Sequence, residues 1–73
     1  MKTFFDMSGE EKRMMMMLEG RMALPSPDYP REWIAETLEE RGFLTLVCDE
    51  MCARYVQYEG SPAERVILHL SHS

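Results

Sequence analysis

Three prolines within six residues, Pro25, Pro27 and Pro30, divide this chain. Each ring fixes φ and removes an amide donor, so neither a helix interior nor a central strand runs through Leu24-Pro25-Ser26-Pro27-Asp28-Tyr29-Pro30. The segment reads as a stiff elbow between two helices. It also spells Pro25-x-Pro27-x-x-Pro30, the pattern of a proline-rich docking ligand. Strong helix patterns lie on both sides of it, which favours the elbow over a docking ligand.

Before the elbow, Ser8-Gly9-Glu10-Glu11 has capping-box spacing: Ser8 can accept from the Glu11 amide, and Glu11 can reach back to the Ser8 amide. A helix is predicted from about Gly9 to Glu19, stopped by Gly20. Met14, Met15, Leu18 and Met22 share one face of it, Met17 lies on the flank and Met16 points the other way. The methionine face reads as soft core, with a partner surface or a homodimer seam as alternatives. Met16 has no core role in this reading and is a candidate partner contact.

After the elbow, a second helix is predicted from Pro30 or Arg31 to Arg41, with Gly42 as its stop. Ile34 and Leu38 anchor one side and Trp33 flanks them. Glu32, Glu36, Glu39 and Glu40 form the other side. Glu32, Glu36 and Glu40 are four apart, so their carboxylates align in a stripe at about 6 Å per step.

From Phe43 the pattern changes. Phe43-Leu44-Thr45-Leu46-Val47-Cys48 reads as a strand, and Arg65-Val66-Ile67-Leu68-His69-Leu70 as another, preceded by a turn cluster over residues 59–64. Between them, residues 52–58 are rich in strand formers and are assigned to a middle strand. A short helix capped by Asp49 and carrying Met51, Cys52, Tyr55 and Val56 is the alternative. Thr3-Phe4-Phe5 could add an edge strand. The expected fold is α+β, two helices followed by a three-stranded antiparallel meander.

The stretch Ile34-Ala35-Glu36-Thr37-Leu38-Glu39-Glu40-Arg41-Gly42-Phe43-Leu44 resembles the end of a winged-helix recognition helix running into the first wing strand. The resemblance covers about half of the chain and implies a degenerate winged-helix-like domain with a DNA-binding regulatory role. The chain departs from that pattern in showing two helices where the family has three. Its would-be recognition helix also carries four glutamates, which repel phosphates.

Composition narrows the function classes. The chain has 73 residues, 45% of them hydrophobic, and a net charge of -5. It is long enough for one small domain, whose core rarely nets more than about 3–5 kcal/mol. The acidic balance argues against nucleic acid and anionic membranes. Asp6 interrupts the N-terminal apolar stretch, so no signal-peptide core is expected there, and no apolar run approaches the roughly 20 residues of a membrane span. Two cysteines are too few to staple a secreted mini-domain, so a reduced, cytoplasmic protein is expected. Cys48, Cys52, His69 and His72 supply the four N/S donors of a structural zinc site. Their order, C-x3-C and later H-x2-H, departs from the usual histidine spacing, and two semi-buried thiols with two exposed imidazoles are the simpler expectation.

No G-x-S-x-G, phosphate loop or H-E-x-x-H occurs, so no enzyme activity and no cofactor are expected. The expected function is that of a small non-catalytic protein-binding regulator or inhibitor. It would engage a basic or mixed surface on a larger partner through Glu32, Glu36, Glu39 and Glu40, with Trp33 and Met16 as apolar contacts. Compact acidic chains of this kind suit accessory roles, including those of phages and other mobile elements.

Overall fold

The computed structural model describes residues 2–54 and 58–71, and among them every regular element is helical. A 3-10 turn over Phe4–Asp6 is followed by α1 (Gly9–Leu18), α2 (Arg31–Glu40), α3 (Leu44–Arg54) and α4 (Pro62–Ser71). The expected α+β meander and the winged-helix-like arrangement are therefore overturned.

The first two helices begin and end as their sequences predict. The Ser8 hydroxyl accepts from the Glu11 amide at 3.1 Å and Glu11 Oε1 accepts from the Ser8 amide at 2.9 Å. Gly20 and Gly42 take φ of 74° and 83°. At each, the amide two residues past the last helical turn folds back: Arg21 N–H to the Met16 carbonyl and Phe43 N–H to the Leu38 carbonyl, both at 2.8 Å. These are Schellman closures, in which only glycine occupies the left-handed position without strain.

The second half differs for identifiable reasons. Leu44, Val47, Cys48 and Met51 are buried at spacings of three and four, so the apolar run from Phe43 is one face of a helix that continues past it. A six-residue apolar run fits both a strand and a buried helix turn. Here the tight Gly42 corner decides, because the Val47 amide already bonds to the Phe43 carbonyl at 3.1 Å.

The segment 65–70 is also helix, not strand. Ser61 Oγ accepts from the Glu64 amide at 3.2 Å, and Pro62 occupies the first helical position. Ser-Pro-Ala-Glu is a helix start, not a turn cluster. In the middle segment, residues 52–54 belong to α3, and the rest of that expected strand lies partly outside the described residues. Thr3-Phe4-Phe5 is no edge strand, because Asp6 Oδ2 accepts from the Thr3 amide at 2.7 Å and closes a turn.

The helices meet in one apolar cluster. Leu18, Ile34, Leu38, Val47 and Val66 are fully buried, with Phe43, Leu44, Met14, Met51 and Leu70 around them. Met15 and Met17 pack against this cluster, so the methionine face of α1 serves the core. α4 lies against both α2 and α3, with a smaller contact on α1. Since Phe→Ala in a core costs about 3–5 kcal/mol, Phe43→Ala is expected to abolish cooperative unfolding. Ser8→Ala should cost about 1 kcal/mol. Thermal and urea denaturation followed by circular dichroism checks both.

Candidate functional site: an acid-rimmed groove between α2 and α4

Burying Ile34, Ala35, Thr37 and Leu38 fixes the rotation of α2. Its remaining face then turns outward, and Glu32, Glu36, Glu39 and Glu40 are all exposed. The buried Thr37 hydroxyl donates to the Trp33 carbonyl at 2.7 Å, so burial leaves no hydroxyl proton unmet. Among the described residues, ion pairs join Arg21 to Glu19, Arg41 to Glu10 and Glu11, and Arg54 to Glu50. None involves the four carboxylates of α2.

Where α2 runs beside α4, Ala35 and Ala63 leave room between the helices. The result is an open groove of about 400 Å³. Ala35, Ala63, Ile67 and Leu68 supply its apolar surface, and Glu32, Glu36 and Glu64 its polar residues. Leu68 is 39% exposed, a large apolar side chain without full cover. Among the described residues, no lysine or arginine lines the groove. A second depression, of about 330 Å³ by the elbow, includes Met17, Leu24, Pro27 and Arg31 and has no carboxylate lining.

The expected contact residues divide accordingly. Glu32 and Glu36 come together in the groove. Glu39 and Glu40 lie further along the same helix and do not line it. Trp33 is 45% exposed and meets Tyr29 edge-on, with ring centroids 6.1 Å apart, beside the groove rather than in it. Met16 is half-buried on α1 and lines none of these depressions. Glu64, Ile67 and Leu68, assigned from sequence to a turn and a strand, were not among the expected contacts. Their signal was the helical spacing of 64, 67 and 68, which a strand assignment conceals.

The cysteines and histidines do not assemble a zinc site among the described residues, where no group of three potential ligands converges. Cys48 and Cys52 lie one turn apart on α3, and Cys48 is buried rather than semi-buried; His69, expected to be exposed, is buried on α4 where that helix packs against the others, and His72 lies outside the described residues. Comparison of the chain with family models, curated proteins and solved structures finds no match.

Two glutamates away from the groove carry opposite electrostatics. The Ser8 amide holds the Glu11 carboxyl below its usual range, despite some desolvation, with the Ser8 hydroxyl and Arg41 assisting. Burial raises that of Glu19, and the charge of Glu50 adds to the effect. The Glu19 side chain has no exposed surface, and Arg21 at 3.6 Å is within ion-pair reach but too far to hydrogen-bond it. It also sits at the negative end of α1.

An acid raised in the folded state binds more protons folded than unfolded, so its charge destabilises increasingly as pH rises above about 4.5, the unperturbed value. Glu19→Gln is therefore expected to raise the melting temperature at pH 7, with the gain shrinking as pH falls towards 4.5. Melting curves of both proteins across that range check the sign.

Proposed function

We propose that this chain is a non-catalytic protein-binding regulator that acts by occupancy, taking a cationic amphipathic helix of a larger partner into the groove between α2 and α4. The observation that carries the reading is the combination of apolar floor and unpaired carboxylates: Ala35, Ala63, Ile67 and Leu68 beside Glu32, Glu36 and Glu64. An open groove of this kind accepts the stripe of a helix more readily than it encloses a small molecule. Carboxylates at Glu32 and Glu36 are about 6 Å apart along the axis, the rise between residues four apart on a partner helix laid alongside. Glu39 and Glu40 extend the negative field beyond the groove and steer the encounter. The same field disfavours polyanions. A cytoplasmic setting belongs to this proposal and rests on the sparse cysteine content.

A synthetic helical peptide with leucines on one stripe and lysines flanking it at four-residue spacing is the probe. It is expected to bind, with affinity falling as salt rises. Changing Glu32, Glu36 and Glu64 together to Gln should weaken binding about tenfold at low salt, since exposed ion pairs contribute about 0.2–1 kcal/mol each. Leu68→Ser should weaken it without altering the salt dependence. Glu39→Gln with Glu40→Gln should slow association and leave dissociation unchanged. Equal binding of a scrambled peptide of the same composition, or unchanged binding by the triple variant, would reject the proposal. Titration calorimetry and stopped-flow fluorescence of Trp33 provide the readouts.

A further inference from the structure

The outward face of α1 carries the charge that the groove lacks. At about 100° per residue, Gly9, Lys12, Arg13 and Met16 fall within one arc of about 100°, opposite the buried Glu11, Met14 and Leu18. Lys12 and Arg13 are exposed and Met16 is half-buried. Met15 and Met17 pack against the core, whereas Met16 does not join them. Neither Lys12 nor Arg13 takes part in an ion pair among the described residues, and no carboxylate stands on the arc. Glu10 lies on its flank and pairs with Arg41 at 3.5 Å. In a chain of net charge -5, this face is cationic.

The acid-rimmed groove is its complement. Glu32, Glu36 and Glu64 are exposed and belong to no ion pair among the described residues, and they stand beside Ile67 and the partly uncovered Leu68. Lys12 and Met16 are four apart, as are Glu32 and Glu36, so both faces repeat at about 6 Å along their axes. The unbranched thioether of Met16 adapts to an irregular apolar surface of this kind.

We infer that the groove of the free chain takes the outward face of α1 from a second copy, so that self-association masks the site until a partner helix displaces it. This rests on the reading of the groove as the acceptor of a cationic helix, and it adds a second occupant and a means of regulation. Met16 seats against Ile67 and Leu68, while Lys12 and Arg13 meet the carboxylates of Glu32, Glu36 and Glu64. The two faces share no residue, so a copy whose groove is filled still offers its own α1. Such a contact is heterologous: copies add head to tail and either extend or close into a ring. A free groove becomes scarcer as the chain is concentrated, and a partner helix has to compete by mass action. The association is weak, because exposed ion pairs contribute little each and salt screens them.

Sedimentation equilibrium of the full chain at concentrations up to about 1 mM is the test. The mean mass is expected to rise with concentration and to fall back towards that of one copy as salt is added. Lys12→Glu with Arg13→Glu should weaken association at least about tenfold, as should Glu32→Lys with Glu36→Lys, because each sets like charges across the contact. Mixing these two variants should restore association, since each then meets the opposite charge. Circular dichroism establishes that each variant is folded. If the α2 variant unfolds, the α1 variant still decides: added to the wild type, it should cap the assembly, because it accepts a helix and offers none. A wild-type chain that stays a single copy throughout, an α1 variant that associates as the wild type does, or folded variants whose mixture stays unassociated would each overturn the inference. The lysine-flanked peptide separates this outcome from the groove reading beneath it. It should bind the α1 variant at least as tightly as the wild type, whose groove is partly occupied. Peptide binding by a wild type that never associates overturns the inference and leaves the groove reading standing, whereas absence of both overturns the two together.

Discussion

Gly42 turns the backbone at φ 83°, and the Phe43 amide closes back onto Leu38, so α2 and α3 become two sides of a single corner. Phe43, 2% exposed, is carried directly into the core by that turn. Its carbonyl then accepts the Val47 amide, so α3 starts directly at the corner. With Phe43 inward, Leu44, Val47, Cys48 and Met51 must follow on the same side. That leaves an apolar surface for α4, whose Val66 and Leu70 cover it. Lys2 braces the outside of the corner: it donates to the Arg41 carbonyl and its ammonium lies 4.7 Å from the Phe43 ring centroid. The position of α4 beside α2, and hence the groove, follows from this corner.

The two helices before Gly42 were legible because their signals are local, whereas the turn at Thr3-Phe4-Phe5 was not. Ser8 with Glu11, Gly20, the prolines and Gly42 each constrain one or two residues whatever the tertiary context. The half after Gly42 was misread because Phe, Val, Ile and Leu in short runs satisfy both periods, and burial rather than propensity selects between them. The decisive local signal was present at Ser61-Pro62-Ala63-Glu64, whose serine oxygen and proline start a helix. Reading those residues only as turn formers hid α4 and, with it, half of the groove. The acidic face of α2 was legible because Ile34 and Leu38 alone orient the helix. The wall opposite was not, since it required knowing which two helices lie side by side.

The distribution of cations explains why the acidic excess appears where it does. Arg21, Arg41 and Arg54 pair with Glu19, with Glu10 and Glu11, and with Glu50 respectively. Lys2 is engaged with a carbonyl and Arg65 with a sulfur. The pairs thus tie α1 to the end of α2 and brace α3, while the outer face of α2 and the adjoining edge of α4 keep their negative charge. Exposed pairs of this kind add little to stability. Their consequence here is spatial, because they leave the carboxylates of Glu32, Glu36 and Glu64 beside the apolar groove without an ion-pair partner among the described residues.

Two flanks of α4 meet different neighbours. Glu64, Ile67 and Leu68 face α2, while Arg65 reaches Cys52 on α3. Consecutive residues on a helix are about 100° apart, so the two flanks do not overlap and a ligand on one does not block the other. Any communication between them has to pass through the position of the helix itself, which rests on Val66, Leu70 and the Ser61 cap. A small core leaves that anchorage little to spare.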